Sequence, residues 1–563
     1  MRIIHTWLFL IFFLAAFLRF WQLGHNPPSL TWDEAAWGYN AYSLGIDGKD
    51  EFGRFLPYDY LESFGDFKPP VYAYLDILPV KFFGLNEFAV RFPSALFGVL
   101  TVLVTYFLVK RIFTANSKSE AQNSKQMQNS NVQNFKHQDL FSHIALLASF
   151  LLAISPWHIN LSRAAFEANV ASFFIIVGVW TFLCGVQGKK WYLILSAISF
   201  VLSMYTFNTA RIVSPLLVFM LAIGFRKELL AKKKEVLLAS FVGVLLLLPA
   251  LQFLLSPQAS LRFQEVNIFS DINIIETTNQ EIDNDRNAWW SKILHNRRLK
   301  YSIEFVRHYF DNLSPSFLFI KGDGNPKFST QDVGQLYLWE IPFLIGGMLF
   351  LFRKREGSWW IIPVWLIIGI IPAATARETP HALRIEAALP TFQILTAYGL
   401  AHFLSKVSSI KGKNLIYLFV FSFLIFNFLY YYHGYYAHYP RQFSGEWQYG
   451  YKESIAYVKK VIGKYDEVRI TTHLGRPYAY YLFYTKTDPV VFRKSAQIKR
   501  DHFGFVTVDE FNNYRFGDDL QNIKSKGNKN ILYINTPSQV PKNVKVLQRF
   551  FLLNGDPVLV AYE

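Results

Sequence analysis

Thr31-Trp32-Asp33-Glu34 opens, and Asp66-Phe67-Lys68-Pro69-Pro70-Val71-Tyr72 closes, a polar stretch that follows the first apolar run of the chain, residues 7–23. Read as a membrane helix with its flanking loop, this places two carboxylates and a lysine at a bilayer edge. Ionisable groups are rarely kept there without a purpose, because lipid offers them no solvation. Working outward from this stretch, the remaining residues read as a scaffold for it.

The chain has 563 residues, is 52% hydrophobic and 18% aromatic, and carries a formal net charge of +16. Its mean hydropathy is +0.17, a combination that points to an integral membrane protein rather than a soluble one. The positive charge sits in short clusters between apolar runs of about 17 to 22 residues. That is the inside-loop pattern of membrane proteins, and it argues against nucleic acid as a partner. The single cysteine, Cys184, excludes an intrachain disulfide and a cysteine-based metal site.

Residues 7–23, preceded by Arg2, read as an uncleaved signal anchor with the N-terminus inside. Residues 71–84 are too short to span comfortably and are interrupted by Pro79 and Lys81, so a re-entrant or surface-lying helix is expected. Further spans fit at 89–109, 141–156, 167–187, 190–206, 210–225, 236–255, 336–352, 358–375, 385–404 and 414–432, giving about eleven. Lys110-Arg111, Lys189-Lys190, Lys232-Lys233-Lys234 and Arg353-Lys354-Arg355 then all fall inside. The Asn-, Gln- and Ser-rich stretch 114–140 reads as a disordered inner loop.

The same alternation puts loops 25–88 and 256–335 outside, with the tail from His433. The tail begins with an aromatic belt, Tyr430-Tyr431-Tyr432, as expected at an interface. Helical periodicity at 453–465 and 477–485 and strand patterns at 467–472, 530–535 and 557–562 predict a small α/β domain. The expected organisation is a helical membrane domain, 1–432, and an extracytoplasmic α/β domain, 433–563.

Asp33 can serve as a general base toward an acceptor hydroxyl, with Glu34 beside it. Alternatively both acids cap the next helix, Asp before Ala35-Ala36-Trp37-Gly38 being a good N-cap. Lys68, stiffened by Pro69-Pro70, is a candidate phosphate ligand or an ordinary snorkelling lysine. Arg163, Arg211 and Arg384 break the inside rule at the outer mouths of spans. With Lys68 they form a candidate cationic pocket for a lipid phosphate, the alternative being pairing with Glu167, Glu378 or Glu386. Trp32, Asp66, Tyr72 and His381 are candidate lining residues. The turn Lys321-Gly322-Asp323-Gly324-Asn325-Pro326 is read as a turn or as part of a closing loop. No HExxH, Walker loop or dinucleotide fingerprint occurs.

Asp33-Glu34 after the first span, Phe67-Lys68-Pro69-Pro70-Val71-Tyr72, Glu87-Phe88-Ala89-Val90-Arg91-Phe92-Pro93-Ser94 and His381-Ala382-Leu383-Arg384 with Leu389-Pro390 resemble the GT-C glycosyltransferases. The likeness is to the superfamily of protein O-mannosyltransferases and lipid A aminoarabinose transferases, glycosyltransferase family 39-like. It implies an α-helical polytopic membrane protein of GT-C fold in the cell membrane, active on the extracytoplasmic side. The donor would be a polyprenyl-phosphate sugar and the acceptor a protein, lipid or glycan hydroxyl, with no nucleotide sugar and no required cofactor. Carried over, Asp33 is the base, Lys68 holds the lipid phosphate and Arg384 supports it. Asp33, Glu34 and Asp66 also make a possible, not a required, oxygen site for a divalent metal.

The chain departs from the family in three places: Ala35-Ala36 replaces the arginine that aminoarabinose transferases carry there, Lys68 replaces the histidine of the mannosyltransferases, and no lumenal sugar-binding-like domain of the mannosyltransferase kind is recognisable between 256 and 335. Arg163 or Arg211 is then expected to supply the missing cation. Two other classes fit the same residues, a polyprenyl-linked sugar transporter and a membrane assembly factor in which the acidic pair only caps a helix.

Overall fold

The computed structural model describes residues 2–114, 130–256, 259, 267–408, 410–500, 506–523 and 529–563. The N-terminal run forms α1 (Arg2–Phe20), α2 (Trp32–Asp47), α3 (Val71–Phe83) and α4 (Glu87–Thr114). Each expected span falls on a helix. Ile3–Phe20, Glu87–Thr114, Glu167–Gln187, Lys233–Leu254 and Lys413–Gln442 are long and apolar enough to cross a bilayer. Leu140–Ile154 with Pro156–Ser162, bent by 57°, makes a sixth candidate. Tyr192–Met204, Ala210–Gly224, Ile341–Lys354, Ile361–Ala374 and Thr391–Val407 have 13 to 17 residues, short of the roughly 20 a straight span takes.

The disordered loop expected at 114–140 lies, for residues 115–129, outside the described residues, and Ser130 already begins the helix Ser130–Ile154. The outer loop expected at 256–335 is largely helical where described, with Ile272–Asn284 and Arg297–Asp311 as its main elements.

The chain divides into two compact units. One comprises Met1–Arg19, Leu96–Ser162 and Glu167–Tyr431. Pro156 lacks an N–H, so the Leu152 carbonyl loses its helical partner at the bend. Arg19, fully buried, donates to the Leu152 and Ala153 carbonyls at 3.2 and 3.1 Å and lies 2.6 Å from His158 Nδ1. A side chain thus replaces a backbone donor where no water can. Ile341–Lys354 and Thr391–Val407 approach closely through glycines: a Cβ on Gly347 would stand 1.9 Å from the Leu395 carbonyl oxygen.

The other unit comprises Phe20–Ala95, Arg163–Phe166 and Tyr432–Glu563. Where 1–432 and 433–563 were expected, residues 20–95 thus group with the C-terminal strands, the first outer loop carrying a separate two-stranded hairpin that packs on that domain. Strands β1 (Leu61–Ser63) and β2 (Asp66–Lys68) form an antiparallel hairpin pairing Leu61 with Lys68 and Ser63 with Asp66. The C-terminal strands β3 (Glu467–Thr471), β4 (Gln497–Arg500), β5 (Val506–Phe511), β6 (Tyr514–Gly517), β7 (Ile531–Asn535), β8 (Val546–Phe551) and β9 (Pro557–Tyr562) make one sheet, ordered β4-β5-β6-β3-β7-β9-β8. β3 runs parallel to both its neighbours, and Pro477–Thr485 is a helix as expected.

Long-range polar contacts fasten the loop to this domain. Arg493 pairs with Asp47, Arg500 with Glu62, and Lys452 with Glu87 at 2.7 Å. The Phe64 carbonyl accepts from Arg476 Nη1 and the Val506 N–H at 3.0 and 2.9 Å.

Candidate active site

Helix α2 starts from a capping box. Thr31 is extended at φ −73°, ψ 163°; its hydroxyl accepts the Glu34 N–H at 3.2 Å, and Glu34 Oε2 accepts the Thr31 N–H at 2.9 Å. The cap is therefore Thr31, not Asp33. Glu34 also takes Arg91, with Nε 2.8 Å from Oε1 and Nη2 3.2 Å from Oε2, and the Ala165 N–H at 3.0 Å. Arg91 spends its other contacts on the carbonyls of Leu23, Pro27 and Ser29.

Both residues are fully buried. Glu34, expected beside the base as a catalytic group, is instead an anchor whose oxygens are already engaged. This also removes it from the Asp33, Glu34, Asp66 oxygen site, and among the described residues no group of three or more His, Cys, Asp and Glu side chains could hold a metal ion.

Asp33, one position earlier, points elsewhere. Its side chain is 48% exposed and Oδ1 accepts from Lys68 Nζ, whose own side chain is 7% exposed. The Lys68 ammonium lies 5.1 Å from the Trp37 ring and 5.4 Å from the Phe64 ring. Hairpin and helix thus present one acid and one cation side by side, the cation lodged among aromatic faces.

A buried polar seam holds that geometry. Asn40 lies seven residues after Asp33, two turns along α2. Its amide donates to Ser63 Oγ at 3.1 Å, Ser63 donates to Glu51 Oε1 at 2.7 Å, and the Glu51 N–H donates to Asn40 Oδ1 at 2.9 Å. Ser63 sits on the hairpin that carries Lys68. Burial pushes the Glu51 carboxyl up to about 8, with Asp50 and Glu62 adding repulsion. Sequence reading missed Asn40, Glu51 and Ser63 altogether. The one available signal was the two-turn spacing from Asp33.

The remaining candidates sort by surroundings. Tyr72 is fully buried, its hydroxyl on the Val90 carbonyl at 2.9 Å and its ring 5.5 Å from Trp37, which it supports. Trp32 packs on Gly475, where φ is +113° and a Cβ would stand 2.7 Å from the ring. Only glycine permits both the backbone angle and the contact. Asp66 is half-buried opposite Ser63. Arg163 is fully buried, bonded to the Asn26 carbonyl at 2.8 Å and the Tyr435 hydroxyl at 3.2 Å, with the Tyr435 and Tyr436 rings beside it. It fastens the loop to the tail.

Arg211, His381 and Arg384 belong to the first-described unit. Arg211 donates to the Met204 carbonyl at 3.3 Å beside the Phe253 ring. Arg384 donates to the Glu378 carbonyl at 3.1 Å, with its carboxylate 3.6 Å away. His381 is buried against Phe328, its N–H on Asn312 Oδ1 at 2.9 Å. Burial and the Arg384 charge push it down to about 3, leaving it neutral. Asp323, from the glycine turn, accepts the Ala382 N–H at 2.6 Å, and burial pushes its carboxyl up to about 6. The turn 321–326 is thereby a clasp on the loop that carries Arg384.

A family model described as dolichyl-phosphate-mannose-protein mannosyltransferase matches residues 9–117, a range that includes Asp33, Glu34, Lys68 and Arg91. An uncharacterised protein of Aquifex aeolicus (strain VF5) is 35% identical over 97 residues, 17% of this chain and 18% of that protein. The match thus spans under a fifth of that relative. The crystal structure of ArnT from Cupriavidus metallidurans in the apo state matches with a TM-score of 0.53 at 12% identity, over 99% of this chain and 98% of that one. The same protein bound to undecaprenyl phosphate gives 0.51 at 12% identity, over 100% and 97%. At such identity the likeness is one of backbone, and it extends over the whole length: this chain has the GT-C fold of the ArnT structures.

Proposed function

We propose that the protein is an inverting glycosyltransferase that moves a sugar from a polyprenyl monophosphate to an acceptor hydroxyl on the extracytoplasmic side of a cell membrane. The observation that carries this reading is the Asp33–Lys68 pair, a half-exposed carboxylate held on a nearly buried ammonium. The mannosyltransferase family match over this segment and the undecaprenyl phosphate bound to the ArnT relative support the donor class.

Asp33 accepts the acceptor's O–H proton while that oxygen bonds to the anomeric carbon. The bond from that carbon to the phosphate oxygen breaks on the opposite face, its electron pair leaving with the polyprenyl phosphate. Lys68 has three N–H donors, so it can hold Asp33 and a phosphate oxygen together. A fixed donor of this kind lowers the barrier by roughly 3 to 4 kcal/mol. A stable phosphate leaving group requires no general acid, and no step calls for a metal.

The test is release of free polyprenyl phosphate from radiolabelled polyprenyl-phosphate sugars by the purified protein, with membranes supplying acceptors. Release by wild type and not by Asp33→Asn is the expected result. Equal release by both, or binding without release by either, removes the reading in favour of transport or assembly.

A further inference from the structure

The segment 289–311 carries an apolar surface that the described fold leaves uncovered. Helix Arg297–Asp311 puts Leu299, Ile303, Val306 and Phe310 at i, i+4, i+7 and i+11, a single side of the helix, and all four are exposed. The other side meets protein: the Tyr309 hydroxyl donates to the Ile367 carbonyl at 3.1 Å, and His308 Nδ1 lies 2.8 Å from the Ala376 carbonyl oxygen. Ile367 belongs to the uncharged helix Ile361–Ala374, so Arg297–Asp311 runs beside a segment suited to bilayer depth. Trp289 and Trp290, just upstream, are exposed at 77% and 43%.

Charge selects the occupant of this surface. Between 289 and 311 stand five basic residues, Lys292, Arg297, Arg298, Lys300 and Arg307, against two acidic ones, Glu304 and Asp311. A stripe of apolar side chains with a basic flank and neighbouring tryptophans is the composition of a helix lying in a membrane interface. The stripe is uncovered in the same way as Leu237, Phe241 and Leu248 on the helix Lys233–Leu254, which is long and apolar enough to cross a bilayer. Exposed to water it would be an aggregation-prone patch.

We propose that residues 289–311 form an in-plane anchor for an anionic bilayer surface, the stripe entering the acyl boundary and Lys292, Arg297 and Arg298 meeting lipid phosphates, while Lys300 pairs with Glu281 and Arg307 lies 3.7 Å from Glu304. The inference does not rest on the chemistry assigned to Asp33. It is tested on the full chain in lipid nanodiscs, in a Cys184→Ser background, with a fluorophore on Ile303→Cys, Phe310→Cys or, as a water-facing control, Asn554→Cys. Brominated acyl chains are expected to quench the labels at 303 and 310 and not at 554, and iodide the reverse.

Quenching at 303 and 310 by iodide overturns the proposal by placing the stripe in water. Quenching by neither overturns it by placing the stripe under a second copy or a protein partner. Adding phosphatidylglycerol is expected to raise acyl-chain quenching at 303 by roughly twofold. That gain should vanish in Lys292→Gln/Arg297→Gln/Arg298→Gln, and a gain that persists there overturns the anionic preference.

Discussion

The first turn of α2 sends adjacent carboxylates into opposite surroundings. On one side Asp33 reaches a half-exposed edge where Lys68 meets it. On the other Glu34 is sealed against Arg91, a capping backbone and the Ala165 N–H. Their chemistry is nearly identical and their positions differ by one residue, about 100° around the helix. That rotation is enough to separate a half-exposed carboxylate from one whose oxygens are all engaged. Proximity in sequence is therefore poor evidence of a shared role, and burial and partner count decide it.

Exchanging one charge at a time tests the contrast most directly. Asp33→Asn is expected to lower sugar transfer by about 10²- to 10⁴-fold, with thermal unfolding of the purified protein nearly unchanged. Glu34→Gln is expected to act on the fold, because Arg91 then stays buried without its counter-charge, at a cost of about 3–5 kcal/mol. The readout is the unfolding midpoint and the yield of monodisperse protein. A Glu34→Gln protein that folds normally but transfers no sugar would break the contrast and return Glu34 to the catalytic group.

Lys68→Met should lower transfer by about 10²- to 10³-fold, measured as polyprenyl phosphate release under single turnover. Unchanged release would show that Lys68 only positions Asp33.

The smallest effect is expected at a third carboxyl, Glu51, which is buried like Glu34 but has no ion-pair partner among the described residues. Its folded-state value of about 8 lies above the ordinary 4.5. Above the ordinary value the unfolded chain ionises while the folded one keeps its proton, so stability falls as pH rises toward 8 and then levels off. Glu51→Gln keeps the shape and removes this titration. It should gain on wild type by about 1–3 kcal/mol between pH 5 and pH 8 in chemical unfolding, and a difference that stays flat with pH would show Glu51 to be ionised.

Much of the fold is written in local pattern. Apolar runs marked the helices, helical periodicity located Pro477–Thr485, and the strand pattern located Pro557–Tyr562. Thr31-Trp32-Asp33-Glu34 even carries the Thr-x-x-Glu capping signature, although Asp33 was the more obvious cap. The Lys-Pro-Pro segment pointed to Lys68 because prolines restrict what precedes them.

What stayed hidden is set by separation along the chain. Arg91 lies 57 residues from Glu34, and nothing local announces the pair. β1 and β2 have three residues each, too few for a period to show. The arginines that bind the first loop to the C-terminal sheet sit more than 400 residues beyond their partners. A composition shift at residue 433 suggested a separate domain where those contacts make a single unit.

Arg19 has a consequence for the order of events during synthesis. Its acceptor carbonyl at Leu152 lies 133 residues downstream, so α1 leaves the ribosome well before the bend that satisfies its guanidinium. At ordinary elongation rates that interval is roughly 7 to 27 seconds. Throughout it the charge must be held by headgroups, water or the insertion machinery, and the first helix can settle to its final depth only when the Pro156 bend arrives to receive it.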